Sequence, residues 1–322
     1  MRVLITGASG FVGRHVCKVF KAHGAYVRAL LRRKAHGPWD EHVQGRLPDQ
    51  CPESALSGVD CVVHLAGRAH ALADSARDAA SYFSLNTEGT IRLATEAVRQ
   101  SIRRFVFVST VKAADEPGAR VADEGWNPWP SDPYGASKRA AEEALWALKD
   151  RLEIVILRPA MVYGPTEKGN LPRLIRACAR GWLPRLPDSG HRRSMVHVED
   201  LADAIWLAAT HPRAAGEVFL VSDGRAYAIH EIDAWIREAL GKKSLRLTLP
   251  VGAWRALAEI GEIMGRIAGR RMPWDRDAYQ KLFGPALYDS GKIQNLLGFR
   301  PKRDLQTALP EIVDHLRRQG FL

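Results

Sequence analysis

Arg2-Val-Leu-Ile-Thr6, running directly into Gly7-Ala-Ser9-Gly10-Phe11-Val12-Gly13, is the stretch that decides the fold. The leading residues form an apolar run of buried-strand type, and Phe11, Val12, His15, Val16 and Val19 then recur at helical spacing on one face. Strand, glycine turn and helix follow one another without a linker. A turn lacking side chains lets a pyrophosphate approach the backbone, and the helix start behind it offers free N–H groups and the positive end of a dipole. The spacing is G-x-x-G-x-x-G rather than G-x-G-x-x-G. Its place between strand and helix, at the head of a βα series, predicts a dinucleotide site drawn from Gly7, Ser9, Gly10, Phe11, Val12 and Gly13.

The next strand-like run, residues 25–31, ends in Arg32-Arg33-Lys34 instead of the acid that usually binds a ribose 2′-hydroxyl. Arg32 or Arg33 can bind a 2′-phosphate there, which leans the reading toward NADP over NAD. Further strands are expected near 59–66, 104–109 and 153–158, with helices between them. That alternation predicts an α/β fold with a doubly wound parallel (Rossmann) sheet. After Gly164 the regularity breaks at Pro165, Pro172, Pro184 and Pro187, and helix patterns dominate from 225 onward. The expected division is a dinucleotide-binding unit over 1–165 with a returning segment at about 193–222, and a smaller, mostly helical substrate cap from 166–192 and 223–322.

Tyr134 and Lys138 lie four residues apart in Asp-Pro-Tyr-Gly-Ala-Ser-Lys. On a helix such a pair shares one face, with Cβ atoms about 5–6 Å apart. A free phenol has a pKa of about 10, and a neighbouring ammonium favours its phenolate, so the expectation is that Lys138 draws Tyr134 toward the range useful for proton transfer.

Together with the glycine loop, Cys61-Val-Val-His-Leu65-Ala66-Gly67, Asn86 in Leu-Asn-Thr-Glu-Gly-Thr, and Phe105-Val-Phe-Val-Ser-Thr110, this pair gives a chain that resembles the extended short-chain dehydrogenase/reductases from end to end. Arg158-Pro159-Ala-Met-Val-Tyr163-Gly-Pro and Arg192-Arg193-Ser-Met-Val-His-Val-Glu-Asp-Leu resemble the later signposts of the nucleotide-sugar epimerases and dehydratases, UDP-sugar 4-epimerases in particular. The resemblance implies catalysis by Thr110, Tyr134 and Lys138. It implies cofactor contacts from Leu65, Ala66, Gly67, Asn86 and Pro159, and an approach of Tyr163 to the nicotinamide end. It also implies a diphosphate grip by Arg193 with Arg192 and Asn170, and a substrate role for Lys112. The implied reaction is epimerisation of a UDP-sugar or lipid-diphosphate-linked sugar through a transient ketone, in surface polysaccharide assembly. Two residues depart from the pattern: Arg46 stands where an acid often holds the adenine, and Thr110 where many members have serine.

Three other readings share most of these residues. A one-way reductase or dehydrogenase of a ketone or alcohol would lack the diphosphate grip. A dehydratase usually needs an acid pair beside the catalytic threonine, where this chain has Val111-Lys112. A nucleotide-sensing regulator would keep the fold without turnover, yet such proteins commonly lose the tyrosine.

Composition bounds the rest. A net charge of +11 on 322 residues suits anionic substrates and cofactors. The basic residues are dispersed, with no nucleic-acid-binding signature. Cys17, Cys51, Cys61 and Cys178 have no metal-ligand spacing, and His64 and His197 sit in apolar strand-like segments that favour structural roles. With a strand at the first residues and no long apolar stretch, a cytoplasmic protein is expected. The segment 251–268 places Trp254, Leu257, Ala258, Gly261, Met264 and Ile267 on one helical face, followed by Arg270-Arg271. Core packing or a subunit contact is the preferred reading, because Arg255, Glu259, Glu262 and Arg266 mix signs on the other face. A peripheral membrane contact through 251–271 is the alternative. A homodimer through the helices around 81–101 and 132–150 is expected from the resemblance, and Trp182, Arg271, Tyr279 and Gln280 are candidates for lining the substrate pocket.

Overall fold

Phe105 and Phe107 lie on one side of the central sheet and Val106 and Val108 on the other, the alternation required of a strand that helices cover on both faces. The computed structural model describes all residues except 69–75, 182, 243–247, 270, 271 and 273, and leaves out the side chains of 76–78. Among the described residues the strands are β1 (Arg2–Thr6), β2 (Tyr26–Leu31), β3 (Glu41–Gln44), β4 (Cys61–His64), β5 (Arg104–Val108), β6 (Val121–Ala122), β7 (Glu153–Pro159), β8 (Met161–Tyr163), β9 (Arg192–His197), β10 (Glu217–Val221), β11 (Ala226–Ala228) and β12 (Leu287–Tyr288). The helices are α1 (Phe11–Ala22), α2 (Glu53–Leu56), α3 (Ala76–Tyr82), α4 (Gly89–Arg99), α5 (Pro133–Trp146), α6 (Asn170–Ala179), α7 (Val198–Thr210), α8 (Ile229–Ala239), α9 (Val251–Ala268), α10 (Arg276–Phe283), α11 (Gly291–Leu297) and α12 (Leu305–Arg318). A π-helical turn, Phe83–Glu88, joins α3 to α4.

Seven parallel strands form the main sheet in the order β3-β2-β1-β4-β5-β7-β10. The chain works outward from β1 to β3, then returns across β1 to continue through β4. That reversal opens a crevice at the carboxyl ends of β1 and β4, where ligands bind in such sheets. Two smaller sheets, β11-β9-β8 and β12-β6, stand apart from it.

The doubly wound parallel sheet expected from the sequence is present. Five of its strands were legible, although β4 stops at His64 because Leu65 to Gly67 turn out of the sheet. β3 and β10 complete it. The first is short and polar, with half of its residues exposed, so no apolar run announces it; the second lies inside the segment expected to return to the sheet.

Three apolar cores result. One packs α1, α7 and α11 against one face of the sheet, and a second packs α2, α4 and α5 against the other. The third joins α6, α8, α9, α10 and α12 around Tyr163, Met195 and Tyr227.

In that third core α9 departs from the single apolar face expected of it. Trp254, Ala258 and Gly261 turn inward, whereas Leu257, Met264 and Ile267 are exposed together with Ile260 and Ile263. The cause is local. The Trp274 carbonyl approaches so closely that a Cβ on Gly261 would lie 1.8 Å from it, and the Trp274 ring meets Trp254 edge-on at 5.2 Å. Only the narrow stripe of small residues admits that approach.

A buried ion pair orders the same region. Asp233 accepts Arg237 Nε at 3.0 Å on both oxygens and the Leu186 N–H at 3.3 Å, while Arg237 Nη2 donates to the Leu183 carbonyl at 3.0 Å. Neither side chain reaches solvent to a useful degree. Removing one partner strands the other charge in the core. Asp233→Ala is therefore expected to cost about 3–5 kcal/mol, and replacing both residues by apolar ones far less. Urea unfolding followed by tryptophan fluorescence measures the difference; equal losses in the single and double variants would contradict the pairing.

Candidate active site

The turn from β1 to α1 admits no side chain at Gly7 or Gly13. Gly7 has φ +70°, and a Cβ there would lie 2.8 Å from the Ala66 nitrogen. A Cβ on Gly13 would lie 2.2 Å from the Gly7 carbonyl, to which Gly10 donates at 2.9 Å. Gly10 begins α1 with no side-chain cap, and the first turn holds no acid. Bare N–H groups and an unopposed dipole end therefore face the crevice. This cradle fits the pyrophosphate of a dinucleotide. Ser9 and Gly10 are exposed on it, with Phe11 and Val12 half-buried behind.

A chain of polar contacts holds the opposite lip. The Thr90 hydroxyl donates to the Asn86 carbonyl at 2.6 Å, so its oxygen accepts from His64 Nε2 at 3.0 Å. Nδ1 is then the acceptor and takes the Thr6 hydroxyl at 2.6 Å, while the Thr6 oxygen receives the Ala66 N–H at 3.1 Å. Burial, with Lys138 nearby, brings the His64 imidazole down to about 3, so it stays neutral and structural. Asn86, on the π turn, clamps the next residues: its Oδ1 accepts from the Arg68 N–H at 2.8 Å, and its Nδ2 donates to the Arg68 carbonyl and to Ser137 Oγ. Its amide is thus committed to holding Leu65 to Arg68 in place. A Cβ on Gly67 would lie 3.0 Å from Asn86 Oδ1 and 3.6 Å from Lys138 Nζ, which locates that loop against the reactive pair.

Tyr134 and Lys138 occupy successive turns at the start of α5. Asp132 caps that helix through the Gly135 N–H at 2.9 Å, and Pro133 opens its first turn. Gly135 lets the helix press against the turn after β5, since a Cβ there would lie 2.2 Å from the Lys112 carbonyl. The approach sets the Tyr134 hydroxyl near Thr110, whose side chain acts to lower the phenol's pKa. Thr110 Oγ1 also accepts the Lys112 N–H at 3.2 Å. Lys138 Nζ donates to the Val108 carbonyl at 2.9 Å and lies 4.3 Å from the centre of the Phe107 ring.

The electrostatics correct one expectation. Burial pushes the Tyr134 phenol up to about 12, with Thr110 opposing, and Lys138 is not among the groups that pull it down. The ammonium is itself buried and brought down to about 8, partly supported by Glu142. Desolvation dominates the shift, and the nearby Asp132 adds to it. Lys138 alone does not make Tyr134 a phenolate.

Glu142 is the residue that sequence reasoning missed. Its carboxylate, 2% exposed, accepts Ser109 Oγ at 2.5 Å, Arg158 Nε at 3.0 Å and Arg158 Nη2 at 2.5 Å. It stands four residues beyond Lys138 and eight beyond Tyr134, a spacing that would have placed it on the same helical face.

The remaining candidates divide. Arg193, half-buried on β9, donates to the Gly284 carbonyl at 2.8 Å; burial lowers its pKa, and among the described residues no carboxylate lies within ion-pair distance of it. Arg192 points the other way along the strand, is exposed and pairs with Glu231 at 3.1 Å. Asn170 is exposed at the uncapped start of α6, and Lys112 is half-buried beside Thr110. Tyr163 is fully buried, its hydroxyl donating to Asp223 at 3.2 Å, so its polar end faces the third core and not the crevice. Pro159 closes β7 opposite Val221. Arg32 and Arg33 are exposed past the end of β2, and Arg46 pairs with Asp49 at 3.5 Å. Tyr279 and Gln280 line a groove with Arg255 and Arg276; Trp182 and Arg271 lie outside the described residues.

Comparison with known proteins accords with this geometry. The model of the NAD dependent epimerase/dehydratase family matches residues 3–222. A UDP-glucose 4-epimerase of Vibrio cholerae is 33% identical over 96% of this chain and 93% of its own length. A ceramide reductase of Caulobacter vibrioides is 32% identical over 82% and 81%. Among solved structures, MoeE5 in complex with UDP-glucose and NAD superposes with a TM-score of 0.78 at 26% identity, covering 99% of this chain and all of that one. The chain belongs to the NAD dependent epimerase/dehydratase family and is an enzyme of the extended short-chain dehydrogenase/reductase type.

Proposed function

We propose that this enzyme is a 4-epimerase of a nucleotide sugar or of a lipid-diphosphate-linked sugar, working through a 4-keto intermediate in surface polysaccharide assembly. The observation that carries the reading is the convergence of Thr110, Tyr134 and Lys138 near the glycine cradle, with Arg193 held half-buried and with no carboxylate in ion-pair distance among the described residues. The Vibrio relative and the ligands of MoeE5 support it.

When bound, the nicotinamide supplies a hydride acceptor and a positive charge. Tyr134, once the bound cofactor's positive charge adds to that of Lys138 and ionises it, would take the proton of the sugar hydroxyl and later return it to the epimeric hydroxyl. Redox change is zero over the cycle. Thr110 would hold the reacting oxygen in line with the phenol, and Lys138 would donate to the ribose of a bound nicotinamide nucleotide. Arg193, aided by Asn170, grips the diphosphate with a planar fork. Asn86 acts by positioning the loop at Gly67. In this reading residues 1–165 with 193–222 form the dinucleotide unit and the rest the cap, a division supported by a third core drawn mainly from the C-terminal helices. A homodimer through α4 and α5 is proposed from the family resemblance. Among the described residues no helix is long and apolar enough to cross a membrane.

A one-way reductase is the second reading, favoured by the Caulobacter relative. Stoichiometry separates the two: an epimerase converts UDP-sugars, followed by NMR, without net consumption of cofactor, whereas a reductase consumes one equivalent per turnover. Tyr134→Phe is expected to leave dinucleotide binding within a few-fold and to lower kcat by roughly 10²–10⁴. Unchanged turnover would refute the role of Tyr134.

Two further outcomes follow from the electrostatics. Lys138 is charged below about 8 and loses its proton as the pH rises through that value, so kcat/KM is expected to fall on the alkaline side near pH 8. Lys138→Arg, which stays charged, should remove that limb; a profile unmoved by the substitution would show that the lysine charge is not required. The exposed Arg32 and Arg33 predict tighter binding of NADP than of NAD in calorimetric titration, roughly tenfold for one charge-assisted contact. Tighter binding of NAD would end that preference.

A further inference from the structure

α9 presents two apolar stripes, and the protein uses one. Trp254, Ala258 and Gly261 pack inward, while on the other side Leu257 is 45% exposed, Ile260 53%, Ile263 56%, Met264 50% and Ile267 82%. At 100° per residue those five fall within an arc of about 120°. Scattered exposed leucines need no explanation, whereas a contiguous stripe of large aliphatic side chains does. No acid interrupts it.

The flank of the helix had argued against a lipid surface, because it mixes signs. In the folded chain its carboxylates are neutralised. Glu259 is bound by Arg276, and Glu262 by Arg266 at 3.3 Å. Arg255 makes no ion pair among the described residues, although its charge is felt by Glu259, and Arg270-Arg271 follow the helix in sequence on a chain of net charge +11. The local field is therefore cationic.

We infer that the Leu257–Ile267 face of α9 docks peripherally on an anionic bilayer, lying in the interface with its aliphatic stripe among the acyl chains and its arginines at the head groups. An interfacial helix needs this combination of a large apolar face and nearby basic residues. A second copy of the chain is the poorer occupant. A stable dimer buries about 800 Å² per partner over 20–30 residues a side, whereas this stripe offers five large side chains on one helix. Two chains of like charge also repel when brought together there. The inference does not depend on the epimerase reading, since none of the five residues belongs to the proposed active site.

Vesicle flotation tests it with the full chain. Wild-type protein is expected to float with vesicles of phosphatidylcholine and phosphatidylglycerol at low ionic strength, to float less with phosphatidylcholine alone, and to be released by salt. Ile263→Glu with Ile267→Glu should weaken flotation by roughly tenfold or more, because two buried aliphatic side chains are lost and two like charges meet the anionic surface. The double variant should keep the wild-type thermal midpoint, oligomeric state and vesicle-free turnover. Absence of wild-type flotation, or flotation unchanged in the double variant, would overturn the inference. Conversion of a wild-type dimer to monomer by the double variant would assign the face to a second copy instead.

Discussion

A cation held in the core, the Lys138 ammonium, is the constraint on which the crevice depends. A charge withdrawn from water must be met by fixed dipoles or counter-charges. Here the Val108 carbonyl, the Phe107 ring and, one helical turn away, the Glu142 carboxylate meet it. Glu142 in turn is tolerable only because Arg158 and Ser109 saturate its oxygens. One functional ammonium thus specifies side chains on β5, α5 and β7, and sets how those three elements pack. The arrangement leaves the lysine proton exchangeable near neutrality while keeping the phenol beside it protonated in the protein's own field.

A second network sets the distance between the two lips of the crevice. Thr6, His64, Thr90 and Asn86 pass hydrogen bonds from β1 through β4 to the π turn, each hydroxyl donating once and accepting once. A neutral histidine suits this because it offers one donor and one acceptor. The glycines complete the registration by excluding Cβ atoms where backbones touch, at Gly7 against Ala66 and at Gly135 against Lys112. The cradle and the Tyr134 hydroxyl are in this way referred to one rigid frame, which proton and hydride transfer both require.

The C-terminal part follows a different logic. Its core is fixed by a buried Asp233–Arg237 pair and by aromatic contacts around Trp254, Trp274 and Phe283, and it leaves the Leu257–Ile267 side of α9 exposed. The result joins a rigid catalytic crevice to a helix whose surface chemistry suits an interface with another phase.

The sequence by itself determined the doubly wound sheet, the glycine cradle, and the placement of Tyr134 and Lys138 on one helical face, because each rests on short-range periodicity or on a steric demand local to a few residues. Asp132, Pro133 and the i,i+4 spacing announce α5 before any contact is known. Tertiary structure alone decided the rest. It set the sign of the Tyr134 shift, turned Tyr163 toward Asp223 and away from the crevice, distinguished Arg193 from its paired neighbour Arg192, and chose which stripe of α9 is buried. Desolvation and ion pairing depend on which distant segments close around a group. Residues such as Trp274 at Gly261, or Arg158 at Glu142, come together only when the chain has folded.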